Sequence, residues 1–281
     1  MDDSFPPRLI DTHCHFDAAE FDADRDAEYA RAVAGGVSTQ IIPAIARDNF
    51  DAVAAVGKRY PGCLPAWGLH PLLIAAHRPE HLAELRAQIE TQRPVAIGEI
   101  GLDLFVRGLD FATQEYFYVA QLKLARDYDL PVLLHCRKSY DQLLKHLRRI
   151  RVRGGIAHAF NGSPQQADEF IKLGFKLGFG GAFTWPRANN LRRLAVNLSL
   201  DTIVLETDSP DIPPIWIGRG RNSPAELPRI ALTLAELRGI PVADIGTQTT
   251  RNACDVLLLD EVKPAKNEGQ RLLQSRERSS C

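Results

Sequence analysis

The sequence contains few cysteines, almost no net charge and no long apolar run. Its five cysteines are scattered over 281 residues without a C-x-x-C pair, which argues against a disulfide framework and a cysteine-rich zinc site. Lys and Arg number 34 against 35 Asp and Glu, so no overall positive field favours tight binding to duplex nucleic acid. No segment approaches the length of a membrane span, and the first residues, MDDSFPPR, lack a signal-peptide core. We therefore expect a cytoplasmic protein that does not bind a membrane.

Short apolar runs alternate with amphipathic segments along most of the chain, a pattern typical of β/α units and a parallel sheet. Strands are predicted at 8–15, 37–45, 63–70, 94–102, 131–136, 154–160, 175–181 and 202–208. Eight such units without an internal linker favour a (β/α)8 TIM barrel, an α/β fold, over a doubly wound open sheet. We predict one barrel domain over residues 1–260 and a flexible C-terminal tail over residues 261–281.

The segment LIDTHCHFD places two histidines, His13 and His15, one residue apart at the end of the first predicted strand. Residues two apart on a strand project to the same face, so the two imidazoles point together. Taken alone, this pair is equally consistent with two buried structural histidines. The rest of the chain decides between a structural pair and a metal site.

Other histidines and carboxylates also fall at the predicted strand ends. They are His70, His135, His158, Glu99, Asp103, Glu206 and Asp208. In a TIM barrel these ends meet at the face that carries the active site. Divalent metal ions would offset the cost of gathering so many polar groups, because imidazole and carboxylate together suit such ions. By contrast, His77, His81 and His146 lie outside strand ends and are expected to face solvent.

Five motifs, DTHCHFD, GEIGLD, PVLLHC, AHAFNGS and LETDSPD, resemble in order and spacing those of the TatD family. This is a family of metal-dependent hydrolases of the amidohydrolase superfamily, usually described as deoxyribonucleases. The resemblance covers residues 8–258 and is greatest for the YjjV-like branch. It implies a TIM barrel that hydrolyses phosphodiester bonds of DNA, and we expect a 3'-5' exonuclease. The low net charge favours single strands or strand ends as the substrate, since these need only a few phosphate contacts.

The resemblance also implies two metal sites that share one ligand. His13, His15, Glu99 and Asp208 would bind one divalent ion, and Glu99, His135 and His158 would bind a second. Glu99 would then bridge the two ions, with Zn, Mg and Mn all open as the metal. Asp11 and Glu206 are expected to orient ligands from behind.

The hypothetical reaction uses a metal-activated water, with catalytic roles for Asp208 and Glu99. Asp208 would accept the proton of the water and return it to the leaving oxygen. Substrate contacts are predicted for His70, Arg137, Arg187, Arg221 and Asn222. For each basic residue taken singly, a solvated surface charge is an equally good interpretation.

Several alternatives stay open at this point. The same site could serve a metal-dependent deacylase or esterase, such as an aminoacyl-tRNA deacylase. A non-catalytic binding protein whose metal ions only stabilise the barrel is the other alternative. DNA is not distinguished from RNA, and a monomer is expected. Leu104 follows GLD at a position where many family members carry an aromatic residue. Trp216 is expected to anchor its loop rather than stack on a base.

Overall fold

A computed structural model describes residues 8–259 of the chain. In this part, eight parallel strands form one sheet in the order β1 to β8. The strands are β1 (Leu9–Asp11), β2 (Val37–Pro43), β3 (Cys63–Trp67), β4 (Ala96–Asp103), β5 (Val132–Arg137), β6 (Gly155–Ala157), β7 (Phe175–Phe179) and β8 (Ile203–Leu205). Each strand pairs with the next one along the chain, as predicted for a TIM barrel.

Helices follow the strands and form the outer layer. They are α1 (Arg25–Ala34), α2 (Phe50–Arg59), α3 (Glu80–Thr91), α4 (Phe111–Asp127), α5 (Tyr140–Arg149), α6 (Pro164–Lys172), α7 (Asn189–Asn197), α8 (Leu227–Arg238) and α9 (Val242–Leu257). Local sequence sets several of their ends. Ser163 and Gln166 form a reciprocal capping box at the start of α6, and Gly239, with φ of 65°, ends α8 in a left-handed conformation.

Backbone hydrogen bonds close the barrel between its last and first strands. The amide of Thr12 donates to the carbonyl of Leu205 at 3.1 Å, just beyond β1. Further along, the Asp208 amide donates to the carbonyl of His13 at 2.8 Å, and the His15 amide donates to that of Ser209 at 2.7 Å. These bonds place the two histidines beside Asp208, although the residues are far apart in sequence.

The barrel interior is apolar at the end where the strands begin. Its buried side chains include Ile10, Ile41, Ala66, Ala96, Leu133, Ile156 and Val204, which pack with Ala253, Cys254, Val256 and Leu257 of α9. Helix α9 is fixed there by Thr250, whose hydroxyl donates to the carbonyl of Arg8, and by Asn252, whose amide donates to that of Ile203. Since α9 covers this end, the opposite end is left for the polar residues.

All eight predicted strands are confirmed, but most are shorter than predicted, and three of them by four residues or more. The predicted strands at 8–15, 154–160 and 202–208 stop at Asp11, Ala157 and Leu205. Beyond these points the chain leaves the regular ladder, and Asp208 adopts a positive φ of 57°. Non-glycine residues in this region are strained and cluster at functional sites. The predicted tail over 261–281 lies outside the described residues.

The prediction that His77, His81 and His146 face solvent is wrong, since all three are buried. His77 Nε2 lies 2.9 Å from the carbonyl oxygen of His70, and His146 Nε2 lies 2.7 Å from Glu115 Oε1. The first contact lies within the loop after β3 and the second joins α5 to α4, and neither follows from helix or strand periodicity. Between residues 8 and 259, no helix is long and apolar enough to cross a membrane, and the cysteines form no disulfide.

Candidate metal centre and active site

The histidines and carboxylates predicted from the strand ends meet at the open end of the barrel. Residues His15, His70, Glu99, His135, His158 and Asp208 line one cavity of about 970 Å³. His13 lies against them, with its ring stacked on that of His158 at a centroid distance of 3.6 Å. The β/α architecture thus brings six strand ends together around one polar cavity.

Glu99 lies at the centre of this group, and its two carboxylate oxygens face different histidines. Oε2 is 3.0 Å from His13 Nε2 and 3.6 Å from His15 Nε2. Oε1 is 3.0 Å from His135 Nδ1 and 3.2 Å from His70 Nε2. Burial raises the pKa of Glu99, but these imidazoles outweigh burial and hold the pKa well below its usual range. The carboxylate is therefore ionised and placed to bridge two groups of ligands.

Asp208 faces the histidines on the other side of the cavity. Its Oδ1 lies 3.3 Å from His158 Nε2, 3.7 Å from His15 Nε2 and 3.8 Å from His13 Nε2. Burial raises the pKa of Asp208, and the three imidazoles reverse that effect, so the pKa is lowered. Asp208 is thus an ionised carboxylate that can bind a cation or accept a proton.

A carboxylate lies behind each of two histidines, and Asp103 fixes the orientation of the His135 ring. Asp103 Oδ2 lies 3.0 Å from Nε2 of His135, which leaves Nδ1 directed at Glu99. Glu206 Oε1 lies 3.1 Å from Nδ1 of His158, but this nitrogen has no hydrogen-bond partner, and Nε2 of the ring is directed at Asp208. Carboxylates in this position commonly set the tautomer of a metal-binding histidine. Asp11 instead accepts hydrogen bonds from the amide and hydroxyl of Thr207 and from the His13 amide.

His70 is close to Glu99 and His135, yet its hydrogen bonds favour a donor role. The backbone amide of Leu72 donates to His70 Nδ1 at 3.1 Å, so the proton of the neutral ring resides on Nε2. Burial lowers the pKa of His70 and keeps the ring neutral. A protonated Nε2 cannot bind a metal ion, but it can donate to a carboxylate or phosphate oxygen.

The donor set fits divalent metal ions. Three overlapping groups have ligand atoms within 4.8 Å of one another: His13 with His15 and Asp208, His13 with Glu99 and His158, and His70 with Glu99 and His135. The first matches three of the four residues expected for one ion. For the second ion the grouping differs from the expected one, because the structure places His70, rather than His158, beside His135. Imidazole nitrogens and carboxylate oxygens suit Zn and Mn.

Two cations and one aromatic ring lie at the rim of the cavity. Arg137 ends β5, Lys138 follows it, and both line the cavity together with Phe105. Both cations are exposed, so they can contact an anion that enters the cavity.

The remaining predicted substrate contacts lie elsewhere. Arg187 is exposed outside the cavity lining, with its guanidinium 5.5 Å from the ring of Trp185. Arg221 forms a double hydrogen bond with Asp24 at 2.8 and 2.7 Å. Asn222 is fully buried outside the cavity lining, and its amide donates to carbonyls within the loop after β8. Neither Arg221 nor Asn222 lines the cavity, and their hydrogen bonds hold the loop after β8 in place.

Sequence reasoning missed Phe105 and assigned no role to Asp103. Asp103 was visible only as a second carboxylate in GEIGLD, and its contact with His135 depends on the register between β4 and β5. Phe105 directly follows Leu104, the position at which many family members carry an aromatic residue. Both residues were evident in the sequence, but their roles depend on residues that only the fold brings next to them: His135 for Asp103, and Arg137 with Lys138 for Phe105.

A closed β/α barrel with a buried centre of histidines and carboxylates at the carboxyl end of its strands is typical of metal-dependent hydrolases. The chain matches the family model described as TatD related DNase over residues 10–258. The chain belongs to this TatD family and is a metal-dependent hydrolase.

Individual relatives agree with this family assignment. The chain is 42% identical to YjjV of Escherichia coli K12, an uncharacterized metal-dependent hydrolase, over 87% of this chain and 96% of that protein. It is 34% identical to a protein of Cronobacter sakazakii named 3'-5' ssDNA/RNA exonuclease TatD, over 92% of this chain and 100% of that one. The fold of this chain matches the crystal structure of E. coli YjjV with a TM-score of 0.86. The match covers 89% of this chain and 98% of the YjjV chain.

Proposed function

We propose that this protein is a deoxyribonuclease that removes nucleotides from the 3' end of single-stranded DNA. The observation that carries the proposal is the position of Glu99, whose oxygens face two sets of histidines below a rim of two cations. The cations, Arg137 and Lys138, suit the phosphate groups of a polynucleotide. The relative named as a single-strand exonuclease supports the same substrate class.

Up to two divalent ions per subunit, Zn, Mg or Mn, would occupy the centre. His13, His15, Glu99 and Asp208 would hold one, and Glu99, His135 and His158 the other. Divalent ions of this kind lower the pKa of water from about 15.7 toward 7 and polarise a phosphoryl oxygen. Glu99 contributes a fixed negative charge between the two sets of imidazoles and keeps them in place.

Asp208 is the residue proposed to move the proton. Its low pKa leaves it ionised at neutral pH, so it can accept a proton from the attacking water. The water oxygen bonds to phosphorus as the bond to the leaving oxygen breaks. Asp208 then returns the proton to that oxygen, which gives a phosphomonoester and a free hydroxyl.

The charge of the chain fits a substrate bound through few phosphates. The net charge is −1, and a strand end needs only a few contacts, whereas tight duplex binding normally needs a broad basic face. We propose a monomer that acts in the cytoplasm.

Release of nucleotides from labelled single-stranded DNA tests this function. The metal-stripped protein is restored separately with Mg, Mn and Zn, and 5'- and 3'-labelled substrates distinguish the direction of digestion. Asp208→Asn and His13→Ala serve as variants, with folding checked by thermal unfolding. Metal-dependent release from the 3' end, lost in both variants, is expected. A folded, metal-loaded protein that releases nothing would redirect the search to aminoacyl-tRNA and other esters.

A further inference from the structure

Phe105 is an exposed aromatic ring at the mouth of the metal cavity. Its side chain is 49% exposed, and it lines the same cavity as Glu99 and His135. Apart from Phe111, the other phenylalanines among residues 8–259 are buried. An aromatic ring held partly in water beside a polar cavity has surface available for a ligand.

The ring is presented by a loop that is fixed to the metal centre. Asp103 Oδ1 accepts hydrogen bonds from the amides of Phe105 at 2.8 Å and Val106 at 2.9 Å. Its other oxygen faces His135, and the Leu104 amide donates to the carbonyl of Arg137 at 2.9 Å. The loop beginning at Phe105 and the imidazole of His135 are thus positioned by the same carboxylate.

Both rim cations lie against this ring. The guanidinium carbon of Arg137 is 4.1 Å from the ring centroid, and Lys138 Nζ is 5.0 Å from it. These are cation–π distances. The rim therefore combines a flat apolar surface with two positive charges, and its aromatic ring lies two residues after the carboxylate that orients His135.

A nucleotide has the complementary chemistry, because it joins a flat aromatic base to a phosphate. Proteins bind single strands by stacking bases on aromatic side chains while cations contact the backbone. Resting on the proposed nuclease function, we propose that Phe105, Arg137 and Lys138 form the subsite for the terminal nucleobase of single-stranded DNA and its phosphate. A base within a duplex is already stacked and paired, so this subsite favours unpaired ends.

Other aromatic side chains near the cavity are engaged elsewhere. The Trp216 indole donates to Glu226 Oε2 at 2.8 Å, outside the cavity lining, so it anchors its loop. Tyr140 lines the cavity, but its ring packs against Phe160 and its hydroxyl accepts a hydrogen bond from the Asn161 amide. Phe105 is the better placed of the three for stacking.

The test compares oligonucleotides that differ only in whether their last two nucleotides carry a base. Wild-type protein, Phe105→Ala and Phe105→Leu digest a normal strand and a strand with two abasic nucleotides at its 3' end. Phe111→Ala is the matched control, since Phe111 is exposed outside the cavity. Stacking of one base on an aromatic side chain increases the affinity of a protein for single-stranded DNA by about tenfold or more. We expect wild-type protein and the Phe111 variant to show about a tenfold lower KM for the normal strand, and Phe105→Ala to lose this difference with little change in kcat.

A binding measurement without turnover provides a second readout. An oligonucleotide with 2-aminopurine at its 3' end is bound to the Asp208→Asn protein, and stacking on Phe105 should quench its fluorescence. Phe105→Ala in that background should abolish the quench. Equal KM values for normal and abasic strands with wild-type protein, or an unchanged quench in the Phe105→Ala protein, would overturn the base subsite while leaving the nuclease proposal intact. Absence of any digestion by wild-type protein would overturn the nuclease proposal itself.

Discussion

One carboxylate oxygen of Asp103 lies 3.0 Å from Nε2 of His135. The other oxygen accepts hydrogen bonds from the backbone amides of Phe105 and Val106. The same side chain therefore determines the tautomer of a candidate metal ligand and the position of the rim. Burial raises the pKa of Asp103, but His135 and the two amides outweigh burial and lower it to about 2. The ionised carboxylate accepts a hydrogen bond from the Nε2–H group of His135, which leaves Nδ1 free to bind an ion.

Asp103→Asn should weaken metal binding without unfolding the protein. The asparagine oxygen can still accept the loop amides, but its NH2 group would face His135 Nε2. The ring proton would then move to Nδ1, the atom directed at Glu99, and block it as a ligand. We expect a loss of metal affinity of about 10- to 100-fold, measured by competition with a chelator.

A second His–carboxylate pair provides the control. Glu115 lies 2.7 Å from His146 Nε2 on the outer helices, away from the cavity. Glu115→Gln should leave metal affinity unchanged. Equal affinities for wild-type protein and Asp103→Asn would show that Asp103 does not act through the imidazole.

His70 lies close enough to Glu99 and His135 either to bind a metal ion or to donate a hydrogen bond to the substrate. Because Nδ1 accepts the Leu72 amide, we expect Nε2 to donate to a substrate phosphate rather than to bind an ion. His70→Ala should raise KM for an oligonucleotide by about tenfold or more, the effect of one lost hydrogen bond to a charged group. The metal content, measured by elemental analysis, should stay that of wild type. A variant that loses one metal equivalent would make His70 a ligand.

Arg221 and Asn222 should affect stability rather than catalysis. Asn222 donates to the carbonyls of Thr207 and Asp211 and is fully buried, so Asn222→Ala leaves these acceptors unpaired. We expect a loss of about 2 kcal/mol or more, seen as a lower Tm. Arg221→Ala removes a partly exposed ion pair with Asp24 and should cost less than about 1 kcal/mol. Neither change should alter the KM of the folded enzyme, and a clear rise in KM for Arg221→Ala would restore it as a substrate contact.

The sequence was sufficient to predict the barrel and the residues at its strand ends, because both follow from local patterns. The alternation of apolar runs predicted each strand, and the end of a strand is where His135 or Glu99 points into the cavity. Contacts across the chain were not predictable in the same way. Arg221 meets Asp24 across nearly the whole chain, and the neighbour of His135 is His70 because of the loop after β3. Side-chain partners in loops depend on tertiary structure that periodicity does not encode.

Asp11 should make the free energy of unfolding depend on pH, and this dependence can be measured without an activity assay. It is buried where β1 meets the loop after β8, and burial raises its pKa from 3.8 to about 7 despite hydrogen bonds from Thr207. The folded protein therefore binds more protons at this site than the unfolded chain between pH 4 and 7. The stabilising contribution is complete below pH 4 and is lost as pH rises through 7. At 1.36 kcal/mol per pKa unit, it is at most about 4 kcal/mol.

Asp11→Asn isolates this contribution, because an amide does not titrate in this range. Its oxygen can still accept the amides of Thr207 and His13, while Thr207 Oγ1 can accept from the new NH2 group. We expect the free energy of unfolding of the chelator-treated wild-type protein to fall relative to the variant between pH 5 and 8, as measured by urea denaturation. Asp24→Asn is the control, because the Asp24 carboxylate lies on the surface and its hydrogen bond from Arg221 lowers its pKa. Its free energy of unfolding should change with pH in the same way as that of wild-type protein. Parallel stability curves for wild type and Asp11→Asn would mean that the buried carboxyl keeps an ordinary pKa, with Thr207 and the His13 amide supplying enough hydrogen bonding to offset its burial.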